Sequence, residues 1–329
     1  MGTVPDITFV ACVESGPLEE QAARLLDSRS RFGGVFAGCP FQLVKARRGP
    51  PLSRRIREAA ARAGAVLWDV PGVAGWEWMH YLNKPAALAA VEKKAATPWI
   101  CWIDSDVLLL GEPWSLLPPE GADFTACPAD KNVGTAGPDD PNEPYWRAVC
   151  AALGQSLEAL PMVVTATEGV PIRWYCNSGV FAYRTGSGFG RAFLDDCLRL
   201  LAARVASRQA GVFFTDQVVM GLTALRLGLR FAELPFSHNL TIGSKSQAPA
   251  DPATLSRAAV LHYHDAMWPH FWPTLLERLE PARPDVAAWL RELGPMANPA
   301  PWPARLAGKA LAWLRTRQKR AYVGGCHVY

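Results

Sequence analysis

No two cysteines in this 329-residue sequence stand in a C-x-x-C spacing. Cys12, Cys39, Cys101, Cys127, Cys150, Cys176, Cys197 and Cys326 are scattered, mostly among apolar or small residues, which argues against a close-spaced thiol pair and predicts buried free thiols. No apolar run reaches membrane-spanning length. The chain enters its first apolar segment, Ile7-Thr8-Phe9-Val10-Ala11, without a basic stretch and a long apolar one before it. A reduced, cytoplasmic compartment is the expectation. No internal repeat and no low-complexity tract is visible. No acid follows Glu292, whereas Arg305, Lys309, Arg315, Arg317, Lys319 and Arg320 do; these six exceed the net charge of +4 and leave residues 1–304 at −2. A nearly neutral body with a basic tail excludes nucleic acid as an expected partner, because that needs basic residues distributed along a groove.

What is present is a globular composition: half of the residues are hydrophobic and thirteen are Trp, enough for a full core in one large α/β domain or two ordinary ones. Apolar runs at Ile7–Val13, Phe41–Val44, Ala65–Trp68 and Trp99–Ile103 predict strands, and 3.6-residue patterns over Leu18–Leu26, Ser53–Ala63 and Asn83–Lys94 predict the helices between them. Such alternation points to a mainly parallel sheet covered on both faces. Residues 118–171 read as irregular around one helix near Tyr145–Leu153, a loop-rich half suited to an acceptor. Regular structure resumes with a strand at Gly179–Tyr183, helices over Phe189–Ala206 and Asp216–Leu227, and strands at Arg230–Glu233 and Ala258–Leu261.

The strongest strand, Trp99-Ile100-Cys101-Trp102-Ile103, runs into Asp104-Ser105-Asp106. Ligands of open α/β sheets bind at the carboxyl ends of strands, and two acids there can converge on one hard cation, Mg²⁺ or Mn²⁺. Apolar residues on both sides make the acids costly unless they are paired or metal-bound. His262 and His264 follow another apolar strand, and imidazole suits Mn²⁺ as a third ligand. Each residue also has a plainer reading. Asn177 fits a turn, Lys84 a helix surface, Asp216 a helix N-cap, and the aromatics Trp76, Trp78 and Tyr81 fit either the core or an acceptor-stacking surface.

The blocks Trp102–Gly111, Tyr175-Cys176-Asn177-Ser178-Gly179-Val180-Phe181, Asp216-Gln217 and Leu261-His262-Tyr263-His264, in this order over about Ile7 to Pro269, resemble the GT-A glycosyltransferases, most of all glycosyltransferase family 8 and its relatives. The resemblance implies a Rossmann-like mixed α/β fold and a metal-dependent transferase taking a sugar from a nucleotide diphosphate donor, a UDP-sugar by preference. It implies Asp104, Asp106 and His262 as ligands of Mn²⁺ or Mg²⁺, with Asp104 also near the donor ribose and Ser105 in the donor site. It places Asn177 near the transferred sugar, Asp216 and Gln217 at the reacting face, Lys84 on the donor, and Glu14 beside the base. Retention is the expected outcome. The sequence departs from that family after His262, where His264-Asp265-Ala266-Met267-Trp268-Pro269 lacks the Lys that contacts the diphosphate.

The expected organisation is a catalytic domain over 1–294, with a nucleotide-sugar half to about 117 and an acceptor half from 118, and a tail over 295–329. In the tail, Leu306, Ala310, Trp313 and Leu314 fall at helical spacing with Arg and Lys on the remaining face. Such a helix suits an anionic membrane surface and a membrane-borne saccharide or lipid-linked acceptor; packing on the body is the alternative. Two other functions remain open. A haloacid-dehalogenase-type phosphatase shares a strand ending in D-x-D, but Val107-Leu108-Leu109 lacks its hydroxyl and Asp195-Asp196 falls in a helix. A catalytically silent nucleotide-sugar-binding protein would not need both acids and His262.

Overall fold

A computed structural model of the chain describes residues 3–243 and 251–329. Its first half runs β1 (Ile7–Cys12), α1 (Pro17–Phe32), β2 (Phe41–Lys45), α2 (Arg54–Arg62), β3 (Ala65–Asp69), α3 (Asn83–Val91), β4 (Trp99–Ile103), β5 (Val107–Leu109), β6 (Phe124–Cys127) and α4 (Glu143–Leu153). There follow β7 (Met162–Val164), β8 (Pro171–Arg173), β9 (Asn177–Arg184), α5 (Phe189–Ala202), β10 (Val205–Ala206), α6 (Thr215–Arg226) and β11 (Phe231–Glu233). The last part holds β12 (Leu240–Thr241), α7 (Pro252–Ser256), β13 (Val260–His262), α8 (Trp272–Leu279), α9 (Pro284–Leu293), α10 (Trp302–Val323) and β14 (His327–Val328).

Seven strands form the central sheet in the order β11-β6-β9-β4-β1-β2-β3. β9 runs antiparallel to both of its neighbours, β4 and β6, and the remaining pairings are parallel. Because side chains alternate across a strand, Ile100 and Trp102 enter one core with Leu88 of α3, Phe193 of α5 and Val219 of α6, while Cys101 and Ile103 enter the other with Leu25 of α1 and Ile56 of α2. The result is the expected mixed, mainly parallel sheet covered by helices on both faces. All eight cysteines are free, as the scattered spacing implied.

A smaller sheet, β12-β13-β5, creates the site. Asp104-Ser105-Asp106 is the bridge by which the chain leaves β4 of the central sheet and enters β5 of the small one. The bridge is pinned at both ends: the Asp104 amide donates to Gly179 O at 2.8 Å and the Tyr263 amide to Asp106 O at 3.0 Å. Since β13 pairs antiparallel with β5 and sets His262 opposite Val107, the imidazole arrives beside the second acid.

Three local expectations change. The helix from Phe189 ends at Ala202, not Ala206; Arg204 takes a φ of +53° and Val205–Ala206 pairs in parallel with β14 at the other end of the chain. No local periodicity can announce a partner more than a hundred residues away. α3 closes at Val91, and Lys94 lies outside it with its ammonium 4.7 Å above the Trp68 ring. Within the segment read as irregular, β6 pairs with β9 and β7 with β8.

Among the described residues no helix is long and apolar enough to cross a membrane. α10 turns its half-buried Ala304, Gly308, Leu311, Arg315, Lys319 and Tyr322 towards the body. Tyr322 packs its ring on Trp76 and Trp78 and donates to Leu201 O at 2.6 Å, so those two tryptophans support the tail and are not an acceptor surface. The outward stripe, at successive three- and four-residue steps, is Trp302, Leu306, Lys309, Trp313, Arg317 and Arg320. Apolar and basic groups therefore share one exposed face, whereas the sequence pattern alone had put them on separate ones.

Candidate active site

A cleft of about 750 Å³ opens along the carboxyl ends of β1, β2 and β4, and every residue that the sequence singled out for donor, metal or catalysis lines it. Lys84 is the buried hub. Its ammonium donates to Ser178 O at 2.7 Å and Ser178 Oγ at 2.8 Å, lies 2.9 Å from Asp216 Oδ2 and 3.4 Å from Asp104 Oδ1, and stands over the Trp102 ring. Burial works against its charge, but Asp104 and Asp216 prevail and raise its pKa. The helix-surface reading of Lys84 is thereby overturned: α3 packs against α5 and β1, and its buried Lys84 reaches Ser178 of β9.

Asp216 is the second residue of α6, yet its side chain does not cap the helix. It accepts from Ser178 Oγ at 3.1 Å and from Lys84. Gln217 accepts from the Ser178 amide at 3.3 Å and donates to the Tyr175 hydroxyl. Asn177 opens β9 and its Oδ1 receives the Gly179 amide at 2.8 Å and Asn239 Nδ2 at 3.0 Å, so it is not a solvated turn residue.

The two acids of the bridge diverge. Asp104 accepts from Trp102 Nε1 at 2.7 Å and faces Lys84. Burial pushes its carboxyl up, Lys84 counters that in part, and the like charge of Asp106 adds to the rise. Asp106 turns the other way: Oδ1 lies 3.4 Å from His262 Nε2 and Oδ2 lies 3.8 Å from His264 Nδ1. Burial opposes its ionisation, but His262 and then His264 outweigh it and hold it at about 2. Ser105 donates to Gln21 Oε1 at 3.0 Å at the cleft wall. At the far end Glu14 receives both Nε and Nη2 of Arg47, at 2.9 and 2.6 Å, and Asn83 Nδ2 at 2.6 Å.

The donor set suits a divalent cation. Ligand atoms of Asp106, His262 and His264 all lie within 4.8 Å of one another, and separations of 3.4 and 3.8 Å are too long for strong hydrogen bonds. They approach the roughly 3 Å between neighbouring ligands that each sit about 2.1 Å from one ion. The His262 ring is also oriented for ligation, since its Nδ1 meets Asn239 Oδ1 at 3.2 Å, which leaves Nε2 facing Asp106. Gly179 makes room for the ring. A Cβ there would stand 2.3 Å from His262 Cε1 and 2.6 Å from Nδ1. With His262 buried and held, Gly179→Ala should cost about 1–3 kcal/mol and lower the thermal midpoint by several degrees. An unchanged midpoint would mean that the ring is free to move aside.

Residues that sequence reasoning did not assign also line the cleft. Arg47 follows β2, and nothing local marks it among many arginines. Asp130 follows β6; burial and the neighbouring Glu168 push its carboxyl up to about 6. Tyr81 stacks edge-on against Phe213, which is 50% exposed at the mouth, so of the three aromatics considered Tyr81 alone faces the cleft. Asn239, fully buried, is invisible without its contacts. His264 did carry a signal, since it stands two residues beyond His262 after the same apolar strand, and its ring lies 3.9 Å from that of His262.

Fold and site together define a mixed α/β protein whose acids, imidazoles and amides converge at the carboxyl edge of a mainly parallel sheet. The profile of the Rhodobacterales glycosyltransferase domain family matches residues 9–228, and the chain belongs to that family. It is a glycosyltransferase, which sets aside the phosphatase alternative; Asp196, moreover, is spent on Arg226 and Thr223 within the fold. No curated protein sequence matches the chain. Among solved structures it is similar to WbbM, a bifunctional glycosyltransferase, at 12% identity over 85% of this chain and 50% of that one, TM-score 0.47. It is similar to the galactosyltransferase LgtC in complex with donor and acceptor sugar analogues, at 16% identity over 84% and 94%, TM-score 0.47. A third is the glycosyltransferase GlyE of Streptococcus pneumoniae, at 13% identity over 90% and 66%, TM-score 0.46. The chain thus spans about half the length of WbbM.

Proposed function

We propose that the chain transfers a sugar from a nucleoside diphosphate donor, a UDP-sugar by preference, to a hydroxyl of a saccharide or lipid-linked acceptor, with Mn²⁺ or Mg²⁺ bound beside the D-x-D bridge. One observation carries the reading: a single cleft joins Asp104, Asp106 and His262 to Asn177, Asp216 and Gln217. The cation, when bound, offsets negative charge on the leaving diphosphate. The chain's own groups do the rest. Asp106 and His262 hold the cation and Asp104 approaches the ribose. Glu14, fixed by Arg47 and Asn83, borders the base. Asn177 and Gln217, both anchored on β9, place amide groups beside the transferred sugar.

The engagement of Asp216 supports retention. Its Oδ2 already meets a buried ammonium at 2.9 Å and a hydroxyl at 3.1 Å, so it is poorly placed to take a proton from an acceptor. It is better suited to steadying positive charge at the reacting carbon. The anomeric coupling of the product in proton NMR reads the outcome directly.

Thermal shifts with UDP-, GDP-, dTDP- and CMP-sugars test the donor. Mn²⁺ with one nucleotide class should raise the melting temperature by several degrees in the native protein and not in Asp106→Ala, since a ligand at a hundred times its Kd adds about 2.7 kcal/mol. The absence of any shift would remove the nucleotide-sugar reading.

The outward stripe of α10 supports peripheral attachment at the inner face of a membrane. Trp302 and Trp313 are 72% and 62% exposed and alternate with Lys309, Arg317 and Arg320, an arrangement that suits an interface rich in anionic lipid. Deleting the tail would also remove Tyr322 and β14 from the body, so Trp302→Ser/Trp313→Ser is the cleaner variant. Native protein should float with phosphatidylglycerol vesicles and the double variant should remain below; equal flotation of both would sink the idea.

A further inference from the structure

We infer that His264 is itself a metal ligand, and that with Asp106 and His262 it forms a two-imidazole, one-carboxylate site that prefers a first-row transition ion such as Mn²⁺ to Mg²⁺. The inference rests on the metal-dependent reading above and goes beyond it, because it changes both the ligand set and the ion.

Three observations converge on His264. The first is placement: the two oxygens of Asp106 are divided between the imidazoles, Oδ1 towards His262 Nε2 at 3.4 Å and Oδ2 towards His264 Nδ1 at 3.8 Å. Both rings face the cleft, and among the described residues no hydrogen bond holds the His264 ring nitrogens. The second is backbone conformation. His264 has a φ of +49°, in the left-handed region that a residue with a β-carbon rarely takes. Such strain, where a fold maintains it, collects at functional sites. The third is the space reserved for the ring: a Cβ on Gly243 would stand 3.3 Å from His264 Cβ and 3.4 Å from Cδ2. The glycine lets the imidazole lie close over the chain.

Asp104 is engaged elsewhere. Its Oδ1 takes the Trp102 indole at 2.7 Å and faces Lys84, so among the described residues the group of titratable side chains close enough to share an ion is Asp106, His262 and His264. Ligand chemistry then sets the preference. Mg²⁺ demands oxygen ligands and sheds water reluctantly, whereas imidazole nitrogen favours first-row transition ions. Each imidazole that replaces an oxygen moves the site away from Mg²⁺.

The test is Mn²⁺ binding to the full chain, read from the loss of the free-ion EPR signal, with Mg²⁺ as competitor and with and without UDP. Native protein should bind Mn²⁺ and resist displacement until Mg²⁺ is in about hundredfold excess. His264→Gly and His264→Asn should each weaken Mn²⁺ binding at least about tenfold while changing Mg²⁺ binding little. Glycine and asparagine both accept the left-handed backbone, so the two variants should melt at or above the native temperature. A histidine kept only for packing would give lower melting temperatures and unchanged Mn²⁺ binding, and that result would overturn the assignment while leaving a site on Asp106 and His262 intact. Native protein that binds neither ion, with or without UDP, would instead remove the metal-dependent reading itself.

Discussion

Lys84→Met should be the most damaging single substitution in the cleft, lowering stability by about 3–5 kcal/mol. The reason is what stays behind. Asp216 and Asp104 would keep their buried or half-buried carboxylates and lose the ammonium at 2.9 and 3.4 Å, while Ser178 O and Oγ would lose their donor. In a chain of this length the melting temperature should fall on the order of 10 °C. The pH dependence has a definite sign. Without Lys84 the Asp104 carboxyl, already pushed up by burial, loses the charge that counters the rise, so the native state holds its proton to higher pH than the unfolded state and stability falls as pH rises. The deficit should therefore be largest near pH 7 and shrink towards pH 5. Adding Asp216→Asn to the variant should recover part of the stability and none of the activity. A deficit independent of pH would show that lost packing, not orphaned charge, is the cause.

Asp106→Ala should leave the fold nearly as stable as the native one and remove transfer. Its side chain is about a quarter exposed, so no large cavity forms. The loss falls on function, because one carboxylate faces both imidazoles, and without it His262 and His264, 3.9 Å apart, lose the acid that they share. Transfer should drop by at least about a thousandfold, equivalent to about 4 kcal/mol of transition-state stabilisation. Ser105→Ala is the neighbour control: its hydroxyl is occupied by Gln21, and a loss of at most a few-fold is expected. Activity of Asp106→Ala within tenfold of the native protein would displace this residue from the centre of the site.

Both predictions depend on residues that stand out before any coordinates are known. An apolar strand that ends in two acids is a local event, and burial of Trp99–Ile103 makes the cost of those acids apparent from the chain alone. The ordered blocks around Asn177, Asp216 and His262 are equally local, since each follows or begins a regular element. Lys84 was legible as a basic residue on a helix but not as a buried hub, because burial depends on which face of α3 meets α5 and β1. Asn239 and Arg47 were not legible at all. Each owes its position to partners far away in sequence: Asn239 contacts Asn177 and His262, and Arg47 contacts Glu14.

The sequence by itself determined the alternation of strands and helices, the free cysteines, the acid pair at a strand end, the neutral body and the basic tail. These follow from side-chain type and period, which act over a few residues. Tertiary structure decided how the acids are shared, with Asp104 turned to Lys84 and Trp102 and Asp106 to two histidines, because the D-x-D bridge crosses between two sheets and its sides meet different neighbours. It also decided that the last strand returns to β10 and that the tail's tryptophans share their exposed face with its basic residues. Pairings over such distances depend on chain closure and on the packing of whole elements, and no local pattern encodes them.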